Sequence, residues 1–523
     1  MNNEACIDTK NNEFKKIIHE FSIREKVYIA DIASLKEQVR SMQVKLFGRS
    51  SEAKMTPDDK QINLFDSPDD ELPSTDNADD DEIEVPGHTR KKPGRKPIPK
   101  DLPRIDVEHD LTDEEKKCQC GCIKTRIGKE VSEQLDIIPA KIQVVRNIRY
   151  KYACKNCEGV EDDGPTVSIA RMPDQIIPKS IATPGLIAHV LTAKFVDALP
   201  FYRQEKQFIR MGIEISRATM CNWSMKVAGA CDIILDMLKD EILKNPVINI
   251  DETTIQVLKE PKRSKSYMWL FKGGPPEKPV ILYQYHPSRS GDVAVSFLNR
   301  YQGIVQTDGY SGYGFLDASL DIVHMGCWAH CRRKFTDVIK AGGNKKKSSG
   351  NAGTALKYIS KLYKIEKQAR ENELTPEALK QERQDKSLPI LLEFKKWLGS
   401  RIEKVPPKSL LGKAVSYALN QWHRLIQYVE DGRIPIDNNV AENAIRPFVV
   451  GRKNWLFSCT PKGARASAAL YSLIETAKAN KLEPYWYLRY LFKNLPEAMT
   501  SEEFKQLLPM YVDKAALNIP EYK

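Results

Sequence analysis

The sequence predicts a multidomain α+β protein, on three observations. The chain has 523 residues, too many for one compact core and suited to about three or four domains. Two short β-branched runs, Val247-Ile248-Asn249-Ile250 and Gly303-Ile304-Val305-Gln306, read as buried strands, and each leads into an aspartate. Stretches with helical spacing lie before, between and after them.

Composition narrows the class. A hydrophobic fraction of 41% is ordinary for a soluble globular protein, and no run of about 18 apolar residues predicts a membrane span. The N-terminal residues lack a basic start and an apolar signal core, so a cytoplasmic location is expected. A net charge of +11 permits phosphate contacts. The eleven cysteines include one tight cluster, which without a secretion signal reads as metal ligands before disulfides.

Residues 1–50 predict a leucine-zipper-like coiled-coil helix. From Tyr28 through Ile32, Leu35, Val39, Met42 and Leu46 the steps alternate four and three, with Lys36, Glu37 and Arg40 on the flanks. Such a seam pairs two copies or packs on its own chain. Residues 51–110 predict a linker. Its first part, with Asp69, Asp70, Glu71 and Asp79 to Glu82, is too acidic and too poor in apolar residues to order itself. Its second part carries Arg90, Lys91, Lys92, Arg95 and Lys96 between prolines, an extended basic run suited to a phosphate backbone or a narrow minor groove.

Residues 111–165 predict a zinc ribbon. Cys118, Cys120 and Cys122 form one knuckle, Cys154 and Cys157 the other, and Val131 to Tyr152 reads as the strands between them. Zn2+ takes four thiolates, so four of these five bind and the choice between Cys120 and Cys122 stays open. Residues 175–240 predict a helical, helix-turn-helix-like DNA-binding domain. Its helices run Leu186–Phe195, Phe201–Met211 and Ser216–Val227, with Gly212 breaking the second and Ser216 capping the third. Arg217, Thr219 and Asn222 lie on or near the exposed face of the last helix.

Residues 245–340 predict the first part of a sheet domain. Its strands end at Asp251, span Tyr267–Phe271 and Val280–Tyr285, end at Asp308 after a helix near Gly291–Arg300, and span Asp321–Met325. Cys327 to Phe335 follows as a helix with a basic face. A mixed sheet with one Asp on its first strand and another on its fourth is the ribonuclease-H-like arrangement. Residues 341–430 predict a helical insertion, with helices near Thr354–Arg370, Ser387–Ile402 and Ser409–Glu430. Residues 431–480 return to the sheet with Glu442 near a helix start, and residues 481–523 form a C-terminal helical element.

The candidate catalytic residues are Asp251, Asp308 and Glu442. Phosphodiester cleavage must activate a water or hydroxyl and stabilise a leaving oxygen. Two divalent ions about 4 Å apart do both, and carboxylates are the hard ligands that bind magnesium. Each has a plainer reading: Asp308-Gly309 as a turn, and Asn439 to Glu442 as a capping box. Glu252, adjacent to Asp251, points to the opposite face of a strand. Cys327, His330 and Cys331 on one helix turn supply too few ligands for a further metal site, so His330, Arg332 and Arg333 are read as touching phosphate or supporting the catalytic residues.

The wording of several segments resembles the bacterial transposases of the insertion-sequence-66 family. The segments are Asp251-Glu252-Thr253, Thr307-Asp308-Gly309-Tyr310, Cys327-Trp328-Ala329-His330 with Arg332-Arg333-Lys334-Phe335, and Asp437-Asn438-Asn439-Val440-Ala441-Glu442 running on to Arg446-Pro447. Gly451-Arg452-Lys453-Asn454-Trp455 and Tyr471-Ser472-Leu473-Ile474-Glu475-Thr476-Ala477-Lys478 extend it. Cys331 departs from the pattern, where a small residue such as alanine is expected. The resemblance implies a DDE transposase with Asp251, Asp308 and Glu442 as its triad, Mg2+ or Mn2+ as its ion, and Arg446, Arg452 and Lys453 among its DNA contacts. It implies double-stranded DNA as partner, both terminal inverted repeats and target, with a homodimer or higher oligomer and accessory proteins of the same element. A non-catalytic DNA-binding repressor and a structure-specific nuclease or resolvase are the alternatives.

Overall fold

The computed structural model describes residues 172–517 apart from 262–264 and 342–349. It also describes 142–150, the short strands Lys151–Ala153 and Val167–Ile169, residue 519, and most of a helical stretch between 28 and 43. The basic run Arg90 to Lys96 and all five ribbon cysteines lie outside the described residues. The chain divides into two compact units, one of residues 1–50 with 153–518, the other of 51–152 with 519–523. In the second unit the expected strands are not formed over 142–150, and a strand begins only at Lys151. Val144, Val145, Ile148 and Tyr150 are exposed, so no buried face fixes a ladder there.

The first unit is built on one mixed sheet. Its strands are β1 (Val247–Val257), β2 (Ser266–Gly273), β3 (Val280–His286), β4 (Gly303–Gln306) and β5 (Ile322–Met325), in the spatial order β3-β2-β1-β4-β5. β2 runs antiparallel to both of its neighbours, β1 and β3, whereas β4 runs parallel to β1 and β5 parallel to β4. A two-residue strand, β6 (Phe457–Ser458), pairs with the far end of β1. β1 was expected to stop at Asp251 and instead continues to Val257. Its two sides explain this. The antiparallel ladder with β2 continues to Ile255, while the parallel ladder with β4 ends at the pair Asn249 and Gln306. Asp251 therefore lies on a continuing strand, at the point where its β4 neighbour has turned away.

Helices surround the sheet. α1 (Pro184–Phe195), α2 (Phe201–Arg210) and α3 (Arg217–Ala230) match the expected helical segment. Gly212 ends α2 at φ +82°, and the Ser216 hydroxyl accepts the Thr219 N–H at 3.1 Å to start α3. α4 (Asp232–Leu243) was not anticipated. α5 (Asp292–Phe297) is shorter than expected, and Arg300 at φ +61° turns the chain toward β4. α6 (Trp328–Ala341) follows β5. Beyond it come α7 (Asn351–Glu371), α8 (Pro376–Glu382), α9 (Leu388–Ile402) and α10 (Leu410–Asn420). The stretch to Glu430 was expected as one helix, but it breaks at Gln421 into two shorter turns. α11 (Asn439–Trp455), α12 (Pro461–Ala479) and α13 (Pro484–Asn494) close the unit.

The helices of 351–430 share a core with α6. Trp328 and Phe335 pack with Leu362, Phe394, Val415 and Trp422, all buried. On the opposite side, α12 covers the outer edge of β3. The hydroxyls of Ser472 and Thr476 accept the N–H groups of Tyr283 (2.8 Å) and Ile281 (3.0 Å). Thr476 donates back to the Ile281 carbonyl at 2.8 Å, and Asn480 donates to the Pro279 carbonyl at 2.8 Å. Residues at i, i+4 and i+8, the last just past the end of α12, thus bond along a strand that has no further strand beside it among the described residues. No helix among the described residues is long and apolar enough to cross a membrane.

Candidate active site

The three candidate carboxylates come together where β1 and β4 part. Asn249 and Asp251 lie on one face of β1, two residues apart, and Gln306 and Asp308 repeat that spacing at β4. The amides behind the carboxylates are joined. Asn249 Nδ2 donates to Gln306 Oε1 at 2.8 Å and to Asn438 Oδ1 at 2.9 Å. Asn438 Nδ2 donates to the Ile250 carbonyl at 2.9 Å, and Gln306 Nε2 to the Pro435 carbonyl at 2.9 Å. Asn438 immediately precedes α11 and is 1% exposed. A buried, mutually bonded amide cluster of this kind fixes the spacing of the segments that carry Asp251, Asp308 and Glu442.

Each carboxylate has a distinct local setting. Asp251 Oδ1 accepts the Glu252 N–H at 2.8 Å. Burial, then the charges of Glu252, Glu442 and Asp308, push its carboxyl up to about 8. Asp308 Oδ1 accepts the Tyr310 N–H at 2.9 Å, closing an Asx turn. That turn approaches Tyr417, which leaves no room for a side chain at Gly309: a Cβ there would lie 2.6 Å from the Tyr417 hydroxyl. No ion pair forms to Asp251 or Asp308 among the described residues. Glu442 is held by Arg333 Nη2 at 3.1 Å and faces His330 Nδ1 at 3.5 Å. The capping-box alternative for Glu442 does not hold: Asn438 makes no side-chain cap bond, and the first N–H of α11, that of Asn439, goes to Asp437 Oδ1 at 3.2 Å.

Glu252, expected on the opposite face of the strand from Asp251, is far from idle. Its side chain is 1% exposed, it pairs with Arg289 (Nε to Oε1, 2.7 Å), and the Tyr313 hydroxyl bonds to its other oxygen. Arg289 lies 3.7 Å over the Tyr310 ring, and the Tyr310 hydroxyl donates to the Arg289 carbonyl at 2.9 Å. The Asp308 loop is thereby latched to β1. A second support lies behind Thr307. His324 Nε2 and the Thr307 hydroxyl are 2.8 Å apart, and His324 Nδ1 meets Asp317 Oδ1 at 2.7 Å. Arg424 grips the same carboxylate. Sequence reasoning passed over Arg289, Tyr313, Asp317 and Arg424. Asn438, by contrast, stood inside a quoted motif and could have been found there.

The expected DNA-contacting residues divide. Arg217 and Asn222 are exposed on α3, and Arg446 and Lys453 are exposed on α11. His330 and Arg333 are turned to Glu442. Arg332 is half-buried on the same turn of α6. Arg452 bonds Thr253 Oγ1 at 3.0 Å and the Thr254 carbonyl, so it ties α11 to β1.

Chemically, the site gathers hard oxygen donors of one sign in a half-buried setting, and among its described residues cationic side chains pair only with Glu442 and Glu252. Burial first, and then the neighbouring carboxylate charges, raise the Asp251 carboxyl, and a divalent cation suits such a set of hard oxygen donors.

Comparison with known proteins agrees with this architecture. Residues 179–466 match the model of the Transposase IS66 family. Residues 34–107 match the one described as Transposase C of IS166 homeodomain, 115–158 the zinc-finger binding domain of transposase IS66, and 472–510 the IS66 C-terminal element. Among curated relatives, uncharacterized protein y4qI of Sinorhizobium fredii is 30% identical over 80% of this chain and 78% of its own length. Uncharacterized protein y4jD of the same organism is 32% identical over 79% of this chain and 81% of its own length. With more than half its length in the first match and its zinc-finger and C-terminal segments in the others, the chain belongs to the IS66 transposase family.

Proposed function

We propose that this chain is a DDE transposase that binds the terminal inverted repeats of its element, cleaves DNA there and transfers the strand to a target. The observation that carries the proposal is the convergence of Asp251, Asp308 and Glu442 at the opening between β1 and β4. The strand order β3-β2-β1-β4-β5, with its first three strands antiparallel and the rest parallel, supports a ribonuclease-H-like domain. Asp251, Asp308 and Glu442 are the residues that would hold Mg2+ or Mn2+. When bound, such ions supply activation of an attacking oxygen and stabilisation of the leaving one.

The chain's own residues then divide the remaining work. The Asn249–Gln306–Asn438 cluster holds the three carboxylates at fixed spacing. Arg333 and His330 orient the Glu442 carboxylate, and the Glu252–Arg289 pair keeps the Asp308 loop closed. Arg446 and Lys453 lie on the same stripe of α11 as Glu442, at steps of four and seven, and offer phosphate contacts leading from the site. Arg217 and Asn222 on α3 offer a second DNA surface. The basic run from Arg90 to Lys96 and a zinc ribbon with four of its five cysteines add recognition of the ends.

Two copies are required to join two ends, and the N-terminal helix suits that role. Tyr28, Ile32, Leu35, Val39 and Met42 are 51–64% exposed, while Glu37 on its flank accepts the Leu410 N–H at 3.1 Å. The apolar seam is left free to meet another copy. The test is strand transfer of labelled element-end DNA with magnesium, with and without the element's companion proteins. Wild type should join ends to target. Asp251→Ala, Asp308→Ala and Glu442→Ala should each bind in gel shifts and not join. Binding without cleavage by the wild type under every condition would favour the repressor; cleavage that ignores the terminal-repeat sequence would favour a structure-specific nuclease.

A further inference from the structure

The turn that opens α6 places two groups, Cys327 and His330, beside the Glu442 carboxylate, and the reaction above gives Cys327 no role. Cys327, His330 and Glu442 offer donor atoms that all lie within 4.8 Å of one another. Cys327 is 1% exposed, and its sulfur accepts the backbone N–H of Asn438 at 3.2 Å and that of His330. A sulfur held by two amide donors is set up to carry negative charge. His330 Nδ1 and Glu442 Oε1 are both shut off from solvent and form no hydrogen bond, although they face each other at 3.5 Å. A buried ring nitrogen opposite a buried carboxylate oxygen, with no proton well placed between them, is an expensive arrangement. A cation seated among the three groups would satisfy both orphaned atoms.

The donor types say which cation. Thiolate, imidazole and carboxylate together are the ligands of zinc; magnesium takes oxygen donors. Cys331, one turn further on, is packed in the apolar core with Trp328 and Phe335 and is not a ligand. The sequence alone could not assemble this site, because its third member lies on a helix 112 positions downstream of His330, on the far side of the insertion. We propose that Cys327, His330 and Glu442 form a zinc site, with its fourth position open to water. The ion fastens the start of α11 to the start of α6, joining the two parts of the sheet domain that the insertion separates. Zinc binding would release the Cys327 thiol proton, since the thiolate is the ligand. The proposal rests on no step of strand transfer.

The experiment measures zinc per chain by elemental mass spectrometry on the full-length protein, purified with zinc and dialysed free of excess. Wild type is expected to hold about two ions, one of them in the ribbon, and Cys327→Ser about one. Glu442→Gln, which keeps the side-chain shape, is expected to lose the same ion and serves if Cys327→Ser does not fold. Cys154→Ser with Cys157→Ser should retain about one ion, whose X-ray absorption spectrum reports a single sulfur among nitrogen and oxygen neighbours. Equal zinc in wild type, Cys327→Ser and Glu442→Gln overturns the proposal. So does a folded ribbon variant, judged by circular dichroism, that holds no zinc.

Discussion

Two buried ionic centres in this molecule are built on opposite plans. In the insertion, Arg383 is 1% exposed and every one of its donors is used. It pairs with Glu366 through Nε (2.8 Å) and Nη2 (2.7 Å) and bonds the carbonyls of Tyr428, Asp431 and Ile434 at 2.7–2.9 Å. At the candidate active site, carboxylates face one another, Asp251 is pushed up to about 8, and Glu442 keeps an oxygen without a hydrogen bond. The first centre is neutral and complete, so it holds the fold. The second is left with surplus negative charge, so it can hold something else. The difference shows which buried charges serve structure and which serve binding.

The largest expected effect breaks the complete centre. Arg383→Met leaves Glu366 buried without its partner and three carbonyls without donors, which costs about 3–5 kcal/mol. Urea unfolding measures it; a loss under about 1 kcal/mol would mean that the pair is not structural.

An intermediate case comes next. Asp317 is shared by Arg424 and His324, and burial, then Arg424, hold the His324 imidazole down at about 4. Its ordinary value is near 6.5, so the unfolded chain takes up the proton first as pH falls. Stability is full above about pH 6.5 and is lost progressively down to about pH 4, by about 3 kcal/mol in total. His324→Gln should flatten that slope in melts across the window. A slope unchanged by the substitution would assign it to other groups.

The smallest effect sharpens the incomplete centre. Magnesium at a hundredfold excess over its Kd should raise wild-type stability by about 2.7 kcal/mol. Asp251→Asn should abolish that gain and, in metal-free buffer, stabilise the protein by on the order of 1 kcal/mol by removing one of the crowded charges. A magnesium response in Asp251→Asn equal to that of the wild type would place the ion elsewhere.

Much of this was legible in the sequence where the signal is local. The strands around Asp251 and Asp308, the break at Gly212 and the cap at Ser216 follow from β-branching, glycine and hydroxyl chemistry over a few residues. What escaped was set by distant partners. β1 runs past Asp251 because β2, and then β6, continue beside it. Glu252 read as a bystander because Arg289 and Tyr313, which bind it, lie 37 and 61 residues away. Cys327 and His330 looked like half a site because Glu442 is supplied by the chain's return after the insertion. Val131 to Tyr152 shows the converse: β-branched residues suggested strands, but over 142–150 nothing buries one face and no strand forms.

The row of Ser472, Thr476 and Asn480 along α12 has a consequence for assembly. An open strand margin invites another chain to add itself, which is how many proteins polymerise by accident. Here the margin of β3 is already occupied by side chains of the same molecule, so copies cannot grow onto one another through it. The proposed pairing through the N-terminal helix would then proceed with that uncontrolled route shut.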